Sequence, residues 1–429
     1  MHGMSPGPGR GDQVFQHQYV QELLLRAQEQ VAGFIALAEQ ERGKETSSWL
    51  ICVRTYGRAG NPRGWPDRIG KQAMGILELT LAALERALGE EVAHKRCLIF
   101  VSHEDPDFTS GRLTASLAGS AYQNRVIVGV KGADLQARFI EESFPLGSHV
   151  IIADDNIGHF ATEIAQKGFS KTNLLRMDVR DSEDSELKHL LDRAGGMMRS
   201  LNIHVWGINA STNAFFVHAF GETVRKRMKQ HSLPQDQCDF STRLGLVYGA
   251  FFGIIVQKDP DRYTRWGQIK DDVERSLRYW HVDGAIMRFK RYCVEKLHKP
   301  GVYNKNKGGI SSGSSADLHA QEIKRALIGM LQEFAGQYGK LPKDGQNAPY
   351  GLILKRTVGR PSLFEGGKGW PGKQISEQSE AELSDLSEPA EGCLSGCMPD
   401  MRKDASLPCL TCSADPEDRA LGPIRAPSH

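Results

Sequence analysis

The stretch Val150-Ile151-Ile152-Ala153-Asp154-Asp155-Asn156 places an acidic, turn-forming end directly after an apolar run. A short apolar run without polar alternation, bounded by turn residues, is typical of a strand buried on both faces of a sheet. Runs of the same character lie upstream, at residues 50–53, 98–101 and 126–130. The sequence therefore predicts a series of buried strands, the last of which leads into Asp154.

Helical patterns separate these runs. Apolar residues recur at helical spacing over residues 71–88, and a further helix is predicted over residues 135–144. Buried strands that alternate with helices indicate an α/β protein with a parallel sheet, whose ligands bind beyond the carboxyl ends of the strands. The polar side chains that follow the predicted strand ends are Arg54, Glu104, Asp107, Asp154 and Asp155.

The remaining chain divides into regions of different composition. Residues 1–13 are rich in Gly and Pro and predict a flexible arm, and residues 14–45 predict a long amphipathic helix. The buried strands lie in a first half at residues 46–200, and a second half at residues 201–340 has the pattern of a mixed sheet. Pro, Gly, Ser and Glu dominate residues 341–429, which we expect to form a linker and a largely disordered tail.

Charge and hydropathy narrow the class of protein. A formal net charge of +2 over 429 residues excludes a global basic field, so any contact with nucleic acid requires a local basic patch. No segment approaches the ~20 apolar residues that span a bilayer, and the N-terminal residues lack the apolar core of a signal peptide. Cys52, Cys97, Cys238 and Cys293 are scattered as reduced thiols would be. We therefore expect an intracellular protein with no membrane partner.

Asp154 and Asp155 are the first candidates for chemistry. A hard divalent cation such as Mn²⁺ or Mg²⁺ is held by one or two carboxylates, and phosphate oxygens and waters complete its coordination. Such a cation neutralises the diphosphate that leaves when a sugar is transferred from a nucleoside-diphosphate sugar. Asn156 offers a further oxygen ligand. Asp and Asn are also favoured in turns and helix caps, so a structural role stays open.

A second acidic cluster, formed by Asp271, Asp272 and Glu274, lies in the second half of the chain. A sugar transfer that inverts the anomeric carbon requires a carboxylate that takes the proton from the acceptor hydroxyl. We assign this base to Asp272, with the other two acids as its neighbours. Acidic residues are equally favoured at the N-terminus of a solvated helix, and that alternative stays open as well.

Several motifs follow one another in a distinctive order. They are residues 53–58 (VRTYGR), 100–107 (FVSHEDPD), 128–133 (VGVKGA), 136–140 (QARFI), 153–157 (ADDNI), 206–209 (WGIN), 248–253 (YGAFFG) and the segment 270–289. In this order the motifs resemble the TET-associated glycosyltransferase family, and the resemblance covers roughly residues 49–335.

The resemblance implies a GT-A-like α/β fold, in which a Rossmann-type, mainly parallel sheet flanked by helices is followed by a mixed-sheet acceptor half. The first half would bind the nucleotide-sugar donor, and the second half would hold the acceptor and the catalytic groups. Asp154 and Asp155 match the family's metal-binding motif, and the cluster at Asp272 matches its distal acidic motif. The donor-binding positions are Arg54, Tyr56, Arg58, Glu104, Asp107, Arg138, Trp206 and Asn209.

The family's proposed acceptor is a hydroxymethylated base in DNA. The resemblance therefore implies modified DNA as a partner, and with it a nuclear location. A protein or glycan acceptor would need the same donor site. A third possibility is a non-catalytic binding module on a degenerate transferase fold, against which the intact acidic residues argue.

Weaker signals lie outside the ordered motifs. Residues 355–361 (KRTVGRP) resemble a hook for the A·T-rich minor groove, and residues 225–229 (RKRMK) form a basic segment that is typical of a solvated helix face. Two close cysteine pairs could hold zinc, although incidental cysteines explain their spacing better. These cysteines are Cys393, Cys397, Cys409 and Cys412.

Overall fold

The structure is a computed structural model that describes residues 10–40, 48–60, 74–164, 173–179, 185–211, 239–296, 316–334, 339–340 and 353–354. No helix within these ranges is long and apolar enough to cross a membrane. The basic segment 225–229, the hook-like segment 355–361, and nearly all of the predicted tail lie outside the described residues. The cysteines outside them are Cys238, Cys393, Cys397, Cys409 and Cys412.

One large mixed sheet runs through the described part of the chain. Its strands are β1 (Trp49–Thr55), β2 (Cys97–Ser102), β3 (Val126–Gly129), β4 (His149–Asp154), β5 (Ile157–Ile164), β6 (Asn173–Arg176), β7 (Val205–Asn209), β8 (Phe240–Ser241), β9 (Phe251–Ile255) and β10 (Met287–Lys296). The strand order is β3-β2-β1-β4-β9-β7-β10-β5-β6, and β8 pairs with β10. A second, two-stranded sheet consists of β11 (Gly339–Lys340) and β12 (Ile353–Leu354).

The large sheet has a parallel part and a mixed part. β1 pairs in parallel with β2 and β4, and β2 pairs in parallel with β3. β9 is antiparallel to both β4 and β7, whereas β10 is parallel to β7 and antiparallel to β5. The predicted α/β class and the parallel arrangement of the first strands are confirmed. The strands after residue 201 extend this same sheet.

Helices pack on both faces of the sheet. They are α1 (Arg10–Gln16), α2 (Gln18–Gln40), α3 (Ala82–Leu88), α4 (Glu90–Arg96), α5 (Pro106–Thr109), α6 (Arg112–Leu117), α7 (Ala133–Ser143), α8 (Glu186–Leu201), α9 (Asp271–Asp283) and α10 (Ala316–Glu333). Ile51 and Ile151 share a core with α3, α6 and α8, while Cys52 and Ile152 share the opposite core with α2, α7, α9 and α10. Successive strand residues thus enter different cores, which explains why the runs lack polar alternation.

Several boundaries differ from the sequence-based expectation. α1 begins at Arg10, inside the predicted flexible arm, and the long helix that follows ends at Gln40. The helix predicted over residues 71–88 opens with a π-helical turn at Leu77–Leu81. After β4 the chain turns at residues 155–156 straight into β5, which pairs with β10 and β6. This turn carries Asp155 and follows Asp154, and it sets the direction of both side chains.

Candidate functional site

Arg54 links the two acidic clusters that the sequence analysis singled out. It pairs with Asp154 in the parallel register of β1 and β4, which brings both side chains to the same edge of the sheet. Its Nε donates to Asp154 Oδ1 at 3.0 Å, and its Nη1 lies 3.6 Å from Asp271 Oδ2. The guanidinium also donates to the carbonyls of Ala133 and Gly249, each at 2.9 Å. β1, β4 and the starts of α7 and α9 therefore meet around one side chain.

Asp154 is neutralised by two cationic side chains. Lys296, the last residue of β10, places its Nζ 2.6 Å from Asp154 Oδ2, while Arg54 contacts Oδ1. Burial by itself would raise the pKa of Asp154, but Lys296 and Arg54 together lower it to about 2. No sequence pattern indicates Lys296, because this residue reaches the site only through the pairing of β10 with β5.

Asp155 points towards the end of β1. Its Oδ2 accepts hydrogen bonds from Thr55 Oγ1 at 3.0 Å and from the backbone N–H of Tyr56 at 3.3 Å. Arg58 Nε lies 3.6 Å from the other oxygen, Oδ1. Burial raises the pKa of Asp155, and the charge of Arg58 opposes that shift. The two adjacent aspartates thus have different partners: Arg54 and Lys296 hold Asp154, whereas the segment from Thr55 to Arg58 holds Asp155.

The second acidic cluster opens α9 at the same edge. Asp271 is buried and forms ion pairs with Arg275 and Arg54. Asp272 is half-buried, and its Oδ1 accepts a hydrogen bond from the N–H of Val273 at 2.9 Å. Burial, reinforced by the charge of Asp271, raises the pKa of Asp272. A raised pKa makes Asp272 a better match to the proton affinity that general-base catalysis requires.

Glu274 has contacts that favour a structural role over the predicted catalytic one. Its side chain is 1% exposed and accepts hydrogen bonds from the backbone N–H groups of Arg265 and Trp266, at 2.7 and 3.0 Å. Arg278 Nε, one turn further along α9, donates to it at 2.7 Å. Glu274 therefore ties the preceding loop to the helix.

Asp107, predicted to bind the donor, holds the loop that follows β1. It is buried and accepts a hydrogen bond from the N–H of Ala59 at 2.9 Å. Asp105, which the sequence analysis did not single out, accepts from the N–H of Gly57 at 2.7 Å and also caps α5. The carboxylates after β2 thus fix the segment that carries Arg58, which is an indirect contribution to the site.

Trp206 and Asn209, predicted to border the sugar, lie in packed positions of the sheet. Trp206 is fully buried, and its Nε1 donates to His149 Nε2 at 3.0 Å. Asn209 Nδ2 donates to the carbonyl of Lys290 at 3.0 Å and so bridges β7 and β10. Both side chains serve the sheet in this structure.

Arg138, a further predicted donor-binding residue, anchors the N-terminal helices. Its Nη1 lies 2.8 Å from Asp12 Oδ1. The guanidinium carbon lies 4.4 Å from the ring centre of Phe15 and 4.5 Å from that of Tyr263. The contacts of Arg138 are thus with α1 and with the loop after β9.

A group of polar side chains lies just after the ends of β1, β2 and β3. Lys131 Nζ is 3.1 Å from Glu104 Oε2 and 5.7 Å from the ring centre of Tyr56. These residues follow neighbouring parallel strands, so their side chains gather at one edge of the sheet. Tyr56 and Glu104 therefore remain candidates for donor contact, and Lys131 joins them.

The two aspartates suit a divalent cation that is shared with a substrate. Mg²⁺ binds one or two protein carboxylates and completes its coordination with phosphate oxygens and water. The described residues contain no group of three His, Cys, Asp or Glu side chains arranged around a metal position. If a cation binds here, Asp155 Oδ1 and the Asp154 oxygen that now contacts Lys296 would be its protein ligands.

Comparisons with protein-family models and with curated proteins return no match for this chain. The resemblance to the TET-associated glycosyltransferases therefore stays a prediction that rests on the order of the motifs. The convergence of Arg54, Asp154, Asp155, Asp271 and Asp272 is an observation on this chain alone.

Proposed function

We propose that the protein is a glycosyltransferase of the GT-A type, which moves a sugar from a nucleoside-diphosphate sugar, such as a UDP-sugar, to a hydroxyl acceptor with the help of Mn²⁺ or Mg²⁺. One observation carries the proposal: Arg54 joins Asp154 to Asp271 at the carboxyl edge of the parallel strands. This edge is where α/β sheets bind their ligands. Arg54 therefore joins the acidic cluster assigned to the donor to the cluster assigned to the acceptor, through Asp271 of the latter.

The donor half of the reaction would use the turn after β4. A divalent cation on Asp154 and Asp155 would neutralise the charge that develops on the leaving diphosphate. Arg54 and Arg58 supply fixed positive charge around the same carboxylates, whereas Lys296 occupies the Asp154 oxygen that the cation would take. Preorganised charges of this kind stabilise a transition state without reorganising during the reaction.

The acceptor half would use Asp272. Its carboxylate takes the proton of the acceptor hydroxyl, the acceptor oxygen bonds to the anomeric carbon, and the bond from that carbon to the diphosphate oxygen breaks. Asp272 suits this role because it is half-buried and its pKa is raised by burial. Asp271 is already paired with Arg54 and Arg275. Its role is therefore to neutralise these two arginines next to the base, Asp272.

The acceptor we favour is a hydroxymethylated base in DNA, which rests on the resemblance of the ordered motifs. Mass spectrometry of hydroxymethylated DNA, incubated with a panel of nucleotide-sugars and Mn²⁺, tests it directly. We expect one donor to add the mass of a sugar residue to the modified base, with unmodified DNA as the control. Addition to a protein or glycan instead would keep the chemistry and reject the acceptor.

The role of Asp155 is tested by its replacement. We predict that Asp155→Ala lowers donor turnover by at least about 100-fold while the protein stays folded, since even partners outside the coordination sphere of a metal cost up to about that much. Asp261→Ala, which removes an exposed carboxylate paired with Arg265, is the control and should keep full turnover. Retained turnover in Asp155→Ala would show that the cation is bound elsewhere.

A specific observation also favours a second candidate function, a non-catalytic binding module. Both Asp154 and Asp155 already have cationic partners, and such an ion network can be purely structural. Isothermal titration calorimetry with nucleotide-sugars separates the two functions. Donor binding that depends on Mn²⁺ supports the enzyme, whereas no binding with or without Mn²⁺ supports the binding module.

A further inference from the structure

A π-helical turn lies against the back of the candidate site. It covers Leu77–Leu81, runs into α3, and contains Thr80, whose side chain is fully buried. The Thr80 hydroxyl donates to the carbonyl of Asp154 at 2.8 Å and accepts from the N–H of Ile157 at 2.9 Å. One hydroxyl therefore contacts both ends of the turn that carries the two aspartates.

These two hydrogen bonds bracket residues 155–156. The carbonyl of Asp154 and the N–H of Ile157 are the backbone groups on either side of the turn between β4 and β5. Threonine is suited to this position, because its hydroxyl is both donor and acceptor and its branched side chain is stiff about χ1. Fixing both ends of so short a turn also fixes the directions in which its side chains leave the backbone.

The two residues directly before the π-helical turn contact the other side of the site. The N–H of Ile76 donates to the carbonyl of Arg58 at 2.8 Å. Gly75 approaches the same segment so closely that a Cβ on it would lie 2.8 Å from backbone atoms of Ala59. π-helical turns are rare and frequently occur at functional sites. This one sets the segment of Arg58 and the turn of Asp155 relative to each other.

We propose that Thr80 is a positioning residue that aims Asp154 and Asp155 at the cation of the donor site. The inference rests on the proposed function, because it assumes that the two aspartates bind a metal. It adds that their affinity for the metal depends on a hydroxyl that does not itself touch the metal. Groups of this kind typically change metal affinity by about 10–100-fold.

The test compares Thr80→Val, Thr80→Ser and Thr162→Val in the full chain. Thr80→Val keeps the branched shape and removes the hydroxyl, whereas Thr80→Ser keeps the hydroxyl. Thr162 is also buried, in β5, and its Oγ1 has no hydrogen-bond partner among the described residues, so Thr162→Val is the matched control. The measurements are the Mn²⁺ dissociation constant by electron paramagnetic resonance and the hydrogen-exchange rate of the Ile157 amide.

We expect Thr80→Val to weaken Mn²⁺ binding by about 10–100-fold and to speed Ile157 exchange, with Thr80→Ser and Thr162→Val close to the unsubstituted protein. A merely structural role would lower stability and leave the Mn²⁺ dissociation constant of the folded protein unchanged. Unchanged Mn²⁺ binding in Thr80→Val therefore overturns the inference and leaves the proposed function standing. An unsubstituted protein that binds no Mn²⁺ overturns the cation site and this inference with it.

Discussion

At the scale of single residues, the contacts of the Arg54 guanidinium hold the candidate site together. Arg54 contacts Asp154, Asp271 and the carbonyls of Ala133 and Gly249. A planar group with several fixed donors can join partners in different directions, which a lysine ammonium on the same strand could not match. The acidic side chains at the carboxyl edge of the parallel strands are therefore neutralised by a residue that is far from them in the sequence.

Lys296 competes with a metal for Asp154. We predict that Lys296→Met tightens Mn²⁺ binding by at least about 10-fold, because it removes a positive charge a few ångströms from the metal position. Lys131→Met is the control, since Lys131 pairs with Glu104 and not with the aspartates. Titration of each variant with Mn²⁺ gives the comparison. Equal or weaker affinity in Lys296→Met would mean that Lys296 supports the site and does not compete for it.

At the scale of elements, the middle of the sheet is organised around Trp206. Trp206 in β7 pairs with Gly253 in β9, and the indole covers the glycine so closely that a Cβ there would overlap it. Its Nε1 donates to His149, whose pKa is lowered by burial to about 3. The neutral His149 ring in turn lies where a Cβ on Gly195 of α8 would be 2.7 Å from Nδ1. Small residues on β9 and α8 thus make room for two large rings.

A methyl group added at Gly253, beside the Trp206 indole, should lower the stability of the fold. We expect Gly253→Ala to lower the free energy of unfolding by about 1–3 kcal/mol, because the new methyl group overpacks the indole. Gly196→Ala, one residue after Gly195, is the matched control, since no atom in the described part of the chain lies within 4 Å of its added Cβ. Removing a glycine from a helix interior should raise stability by about 0.5–1 kcal/mol. Urea denaturation measures both, and equal stability of Gly253→Ala and the unsubstituted protein would contradict this packing.

At the scale of the whole molecule, one buried carboxyl makes global stability depend on pH. Glu141 in α7 is buried between the sheet and the loop after β9, where the N–H of Gln257 donates to it at 3.4 Å. Burial raises the pKa of Glu141 from its ordinary value of 4.5 to about 7. The folded protein therefore binds this proton more tightly than the unfolded chain. Stability from this group is full below about pH 4.5 and is lost as pH rises towards about 7.

Glu141→Gln should remove that dependence. Its amide oxygen can still accept from Gln257, while its side chain stays neutral at every pH. We predict that the variant gains up to about 3 kcal/mol over the unsubstituted protein at pH 8, and little at pH 4. Unfolding by urea at both pH values is the measurement, with the exposed substitution Glu29→Gln as control. A gain of the same size at both pH values would assign the effect to packing.

Local pattern was enough to predict the first part of the sheet. Apolar runs such as residues 98–101 are buried on both faces of the sheet, because alternate residues enter different cores. An uninterrupted apolar run is therefore enough to predict this burial. The same reasoning brought Arg54, Asp154 and Asp155 to one edge, since parallel strands end together. Side-chain direction does not follow from such patterns: Trp206 and Asn209, which we predicted to border the sugar, lie on β7 and form hydrogen bonds within the sheet.

The amino-acid sequence by itself thus determines which segments become buried strands. It also determines that acidic residues follow these strands. Tertiary structure decides which distant groups meet there: Lys296 reaches Asp154 through strand pairing, and Thr80 reaches it through a π-helical turn. The physical reason is that burial follows from hydrophobicity a few residues at a time. The order of strands in a sheet, by contrast, is a property of the packed molecule as a whole.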